Sequence, residues 1–182
     1  MTASLLVTVV RDVLGITLLA AGIPKLIGNE EFRDVLRDYS LLPNTAVRVV
    51  AWTIPCSELA VGLGLVFGTH PVIALAVTAL GFVVFAIAIA VNLTRGRSVD
   101  CGCFGSSRRS EASWRHVGLD VGLALVAAAV AVWCGIDPAA GTTKPIDAVR
   151  GGLLSFLILV GLRLVITLMK VESTMRRIPD VA

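Results

Sequence analysis

Long apolar stretches separated by short polar ones dominate this sequence, and Val72 to Leu93 holds no charged residue at all. The hydrocarbon core of a bilayer is about 30 Å thick, so a spanning helix needs roughly 20 largely apolar residues. Five stretches approach that length: residues 4–23, 46–67, 72–93, 117–135 and 152–169. The first is interrupted by Arg11 and Asp12, the fifth by Arg163. No basic residue precedes the first apolar run, and two charges lie inside it, so it reads as a retained helix and not a cleaved leader. The pattern predicts one all-α transmembrane domain over 1–182, a multi-pass membrane helix bundle with a four-helix core and a fifth C-terminal transmembrane helix.

The connections differ in kind. "NEEFRDVLRDYSLLP" sets Phe32, Val35, Leu36 and Tyr39 at helical spacing with Arg33, Asp34, Arg37 and Asp38 opposite, which predicts an interfacial helix over about 30–42. "GTH" before Pro71 is a tight turn, and "IDPAAGTTKPIDAVR" is a polar loop broken by Pro138 and Pro145. Residues 94–116 form a glycine- and serine-rich loop that carries "DCGCFG". Gly64 with Gly68, and Gly118 with Gly122, have the small-xxx-small spacing of close helix approach. Trp52, Trp114 and Trp133 fall near predicted span ends, where interfacial tryptophans sit.

Composition agrees with the pattern. The chain is 56% hydrophobic with a mean hydropathy of +0.88, outside the range of soluble domains, and its expected place is the cell membrane. The net charge of +3 gathers at span boundaries with no aromatic-interleaved basic face, which argues for lipid headgroups and against nucleic acid as partner. With five spans, twelve lysines and arginines share the side of the cysteine motif (Lys25, Arg33, Arg37, Arg48, Arg95, Arg97, Arg108, Arg109, Arg115, Lys170, Arg176, Arg177) against Lys144 and Arg150 on the other. The positive-inside rule then predicts a cytoplasmic motif.

Cys101 and Cys103 are the sharpest chemical feature. A disulfide across Cys-x-Cys closes a small strained ring that favours exchange over stapling, and Gly102 lets the backbone turn there. Two incidental thiols, or a metal site completed by His116, Asp120 or Cys56, are the rival readings, although zinc wants four ligands and no second Cys-x-x-Cys is present. Glu58 lies mid-span in "PCSELAVG", where a carboxylate is costly, and serves either function or an ion pair. Pro55 loosens the backbone one turn earlier, and Cys56 beside it is a candidate second thiol. Lys25, on the motif side of the first span, can snorkel, pair with Glu58 or stabilise a thiolate. His116 can act as acid or base in thiolate formation, or simply be solvated. Arg11 and Asp12 point roughly 100° apart on a helix, so each is expected to seek a partner elsewhere. Cys134 falls at the far end of its span and is discounted.

"AGIPKL", "PCSELAVGLGL", "NLTRGRSVDCGCFG" after the third span, and an acid entering the fourth together resemble the MauE branch of the DoxX-like membrane proteins, from about Arg11 to Trp133. CGCFG is the most specific element. The resemblance implies a membrane component of thiol and disulfide chemistry, in a family named for methylamine utilisation, whose namesake assists maturation of a disulfide-rich dehydrogenase subunit with a thioredoxin-like partner. On it, Cys101 and Cys103 match the paired cysteines, Glu58 the second-span acid and Lys25 the first-span base. "GLDVG" departs from the Arg-Asn pair expected at the fourth-span entry, so no role carries over to Leu119 or Asp120.

The leading expectation is a thiol–disulfide oxidoreductase-like component in which Cys101 and Cys103 cycle, tuned by Lys25, His116 and Glu58. Electrons would pass between a thioredoxin-like or client protein and either Cys56 or a quinone, the quinone by analogy with other bundle-type disulfide enzymes. The alternative is a non-catalytic accessory subunit that stabilises a larger membrane complex such as a transporter. Disulfide formation in exported clients belongs outside the cytoplasm, which opposes the orientation that the charges predict.

Overall fold

The structure is a computed structural model that describes residues 3–97, 99–100, 111–141, 149, 151–158 and 160–161. Five helices of more than two turns follow one another: α1 (Ala3–Ile27), α2 (Asn29–Tyr39), α3 (Asn44–Phe67), α4 (Pro71–Thr94) and α5 (Trp114–Ile136), with a single turn α6 (Pro138–Gly141) after them. Among the described residues, α1, α3, α4 and α5 are long and apolar enough to cross a membrane. The protein is therefore a multi-pass membrane protein with a four-helix bundle at its core. Of the fifth predicted span, residues 152–158 and 160–161 are helical, and the remainder lies outside the described residues.

The bundle is built from two tight pairs, α1 along α3 and α4 along α5. Glycine sets the first pair's spacing. A Cβ on Gly15 would stand 2.9 Å from the Gly62 carbonyl oxygen, and one on Gly62 would stand 2.9 Å from that of Gly15. Without those side chains the two backbones touch, which supplies the packing that lipid cannot drive. The close approach thus falls at different glycines from those the small-xxx-small spacing suggests. Among the described residues, a Cβ on Gly118 or Gly122 would meet nothing within 4 Å, and one on Gly64 would meet only Thr69.

Two buried clusters join the pairs. Val7, Leu14, Leu65, Ala74, Leu75, Ala127, Ala131 and Cys134 fill the end nearer the α3–α4 turn. At the other end Tyr39, Ile89 and Val99 close the bundle, with Val35, Ala88, Leu93, Ala112 and Val117 around them. The α2 helix forms where predicted, with its apolar face turned onto the bundle: Phe32 and Tyr39 are buried, while its charged face carries the Arg33–Glu30 and Arg37–Asp34 pairs.

Helix ends follow local chemistry. Gly68, with φ of 70°, ends α3 in the left-handed conformation that glycine adopts without penalty, and Thr69 N–H closes on the Gly64 carbonyl. Pro71 then opens α4, its missing donor harmless at that position. The segment 151–158 packs against the first half of α1: a Cβ on Gly151 would meet Thr8, and the buried Ser155 hydroxyl donates to the Val9 carbonyl at 3.4 Å.

Candidate functional site

The site lies at the α2 end of the bundle and begins with a pair of charges. α1 runs on to Ile27, past the predicted end of its span, so Lys25 sits inside a helix and 1% exposed. Its ammonium donates to Glu58 Oε1 of α3 at 2.5 Å. Two aromatic faces complete the lysine's surroundings, Phe85 of α4 with its centroid at 4.8 Å and Phe32 of α2 at 5.5 Å. Gly22 makes the meeting possible: a Cβ there would stand 3.1 Å from Glu58 Cβ and 3.2 Å from the Pro55 carbonyl. The sequence-based alternative in which Lys25 snorkels to water is set aside by this burial.

Pro55 has a second effect. It has no N–H, so the Ala51 carbonyl one turn earlier loses its helical donor. Asn29 Nδ2, at the start of α2, supplies it at 2.7 Å. The bond fastens α2 to α3 one turn from Glu58. Asn29 carried no obvious signal in the sequence, but the vacant carbonyl implied by an intrahelical proline could have prompted a search for its donor.

A second carboxylate faces the pair. Asp120 of α5 is buried, 9% exposed, and lies within electrostatic range of Lys25 on one side and Tyr39 on the other. Its Oδ2 and Glu58 Oε2 have no hydrogen-bond partner among the described residues. Burial pushes the Tyr39 phenol up to about 12, and the negative charges of Asp120 and Asp100 add to the effect. Asn92 of α4 is fully buried and spends its amide on the Ala88 carbonyl.

The motif loop is rooted at this end. Asp100 and Glu111 form an antiparallel bridge, Ala112 N–H donates to the Val99 carbonyl at 2.8 Å, and Val99 packs with Tyr39 and Ile89. Cys101 and Cys103 themselves lie outside the described residues. α5 starts at Trp114, so His116 belongs to its first turn and not to the loop. There its Nδ1 accepts from Ser113 N–H at 3.2 Å in a capping box and stands 2.9 Å from the Ser113 hydroxyl, leaving Nε2 as the remaining ring nitrogen. Asp120 is one turn on, on the same face.

The other thiols lie apart. Cys56 is exposed on α3, two positions and so roughly 160° round the helix from the buried Glu58. It does not join the cluster. Cys134 is buried at the opposite end, near Arg11. Arg11 and Asp12, expected to look elsewhere for partners, do approach each other, at 3.8 Å and both buried. Arg11 also lies under the α3–α4 turn, where a Cβ on Gly68 would stand 2.8 Å from its Nη1. Among the described residues no group of three or more His, Cys, Asp or Glu is placed to hold a metal ion.

Comparison with known proteins bears on this arrangement directly. The family described as Methylamine utilisation protein MauE matches residues 3–135, which include α1 to α5 almost entirely and the motif loop. The curated Methylamine utilization protein MauE of Methylorubrum extorquens is 39% identical over 145 residues, 79% of this chain and 76% of that protein. Its counterparts in Paracoccus denitrificans and Paracoccus versutus are 36% and 35% identical over 149 residues, 81% of this chain and 80% of each. No solved structure matches the chain.

Proposed function

The chain belongs to the MauE family, and on that premise we propose that it is an accessory membrane protein of methylamine utilisation that exchanges disulfides with a partner protein through Cys101 and Cys103. The observation that carries this reading is the rooting of the motif loop: Asp100 and Glu111 bridge its stem, and Val99 and Ala112 pack with Tyr39 at the end of the bundle that also holds the buried Lys25–Glu58 pair. Ten residues, 101–110, thus arise beside the densest set of polar groups in the described bundle.

In the exchange one cysteine of the pair attacks, as a thiolate, a sulfur of a disulfide on a thioredoxin-like or client protein. The partner's S–S bond breaks, a mixed disulfide forms, and the departing partner sulfur takes up a proton. The second cysteine then displaces the first partner sulfur, so that the Cys101–Cys103 disulfide forms and the partner leaves as a dithiol. Two electrons and two protons have moved, and the reverse direction oxidises a client. Lys25, whose positive charge lies at the same end of the bundle as the loop, would favour the thiolate; Glu58 fixes that charge in place, and His116 Nε2 is available to carry a proton.

The test is replacement of Cys101 and Cys103 together by serine. The expected result is loss of methylamine-dependent growth, with the protein still present in the membrane at wild-type level. Differential thiol labelling in intact and permeabilised cells reads the redox state of the wild-type pair and the side of the membrane it faces. Full growth of the double-serine variant would replace exchange with a purely architectural role in a larger complex.

A further inference from the structure

The charges of the buried cluster do not balance. α1 contributes one ammonium, Lys25; α3 contributes the Glu58 carboxylate and α5 the Asp120 carboxylate. α4 faces the cluster with Phe85 and carries no ionisable group, and α2 contributes Phe32 and the Tyr39 phenol. Among the described residues outside the helices, Asp100 of the loop stem is another anion, and it acts on Tyr39 together with Asp120. On α5 itself, His116 is one turn away and spends Nδ1 on the Ser113 cap. If every group were ionised, one negative charge would be left in the low-dielectric interior, which is costly unless it is paired or neutralised.

The hydrogen bonds show the same deficit. Glu58 is 7% and Asp120 9% exposed, yet among the described residues nothing donates to Glu58 Oε2 or Asp120 Oδ2. Buried acceptors are satisfied in the great majority of cases, and one left open in a folded site calls for a missing donor. Glu58 Oε1 already takes the lysine. Among the described residues Asp120 makes no such contact and feels Lys25 only through its field.

We propose that Lys25, Glu58 and Asp120 form a proton-binding site within the membrane bundle, in which Lys25 and Glu58 stay paired as ions and Asp120 carries one exchangeable proton. The bound proton removes the surplus charge and turns an acceptor that lacks a donor into a hydroxyl that can donate. The site lies at the end of the bundle where the motif loop is rooted, beneath the apolar cluster of Tyr39, Ile89 and Val99. It rests on the placement of these side chains and stands whether or not Cys101 and Cys103 exchange.

Infrared spectroscopy of the full chain in lipid nanodiscs tests this. The wild type is expected to show a carboxylic-acid carbonyl band that persists above the pH at which ordinary carboxylates ionise and bleaches reversibly as pH rises further, and Asp120→Asn is expected to lack it. Stability gives a second readout. A proton held by the folded site and given up on unfolding makes stability fall as pH rises above the ordinary carboxylate range, because the unfolded chain then binds fewer protons than the folded one. One such proton makes the folding equilibrium fall by up to about tenfold per pH unit. The Asp120→Asn variant is expected to lose that slope while Cys101 and Cys103 remain in place.

Absence of an acid band from the wild type, or its persistence unchanged in Asp120→Asn, overturns the proposal. So does stability that depends on sodium or potassium concentration at fixed pH with no acid band, which would make the ligand an alkali cation. Serine replacement of both cysteines is expected to leave the band intact, so failure of the exchange reading and failure of this one are told apart.

Discussion

α1 carries a buried cation near each end, and the two are held in opposite ways. Lys25 reaches across to α3 and meets a carboxylate 33 positions further along the chain, at 2.5 Å and between two aromatic rings. Arg11 stands 3.8 Å from the carboxylate of the neighbouring residue, Asp12, and packs under the Gly68 turn. A cross-helix pair fixes the register of two spans, because neither ion can leave without stranding the other. An adjacent pair moves with its own helix and fixes nothing between helices. The motif end thus has a cross-helix ion pair at its centre, while the far end carries the larger apolar cluster from Val7 to Cys134.

The largest expected effect breaks that contrast at the motif end. Lys25→Met strands Glu58 beside Asp120 and is expected to cost about 3–5 kcal/mol, whereas Lys25→Met with Glu58→Met recovers most of the loss. Denaturation in mixed micelles measures both. Equal losses for the single and the double variant would mean that the pair does not act as a unit. Asn29→Ala comes next. It leaves the Ala51 carbonyl without a donor and is expected to cost about 1–3 kcal/mol, with faster proteolysis of α2.

At the far end Gly68→Ala forces a side chain into a left-handed residue and against the Arg11 guanidinium, for an expected loss of about 1–2 kcal/mol in the same assay. A loss as large as that of Lys25→Met would show that the far end depends on Arg11 as the motif end depends on Lys25. Smallest is Ser113→Ala, which removes the α5 cap and is expected to cost about 1 kcal/mol. That variant also removes the hydroxyl beside His116 Nδ1 while the backbone N–H bond to it remains, so a change in the pH profile of thiol labelling beyond the stability loss would assign the imidazole to the chemistry.

Much of the fold was legible because hydrocarbon imposes a length. The four described spans stand within a few residues of the stretches read from hydropathy, and the α2 helix was visible in its alternation of Phe32, Val35 and Tyr39 with charge. The glycine contacts were less legible. Spacing within one helix favoured Gly64 with Gly68, whereas contact between helices chose Gly15, Gly22 and Gly62, since what matters is the backbone opposite. Of the candidate site, Lys25 and Glu58 stood out as charges in apolar spans, and their pairing was one of several options. Asp120 was set aside as a departure from the family, yet it is the second carboxylate to face Lys25. Arg11 and Asp12 were expected to seek partners elsewhere because they point roughly 100° apart, but the long arginine side chain can bend back to within 3.8 Å of the short aspartate.

Composition along the chain, by itself, determined that this protein crosses a membrane several times as helices. In a solvent that offers no hydrogen bonds each span must satisfy its own backbone, so local apolar length is sufficient information. Only the tertiary structure decided which charges meet, which carbonyl Asn29 completes and which acids share one lysine. Those outcomes depend on the rotation and separation of helices, set where one glycine backbone rests on another.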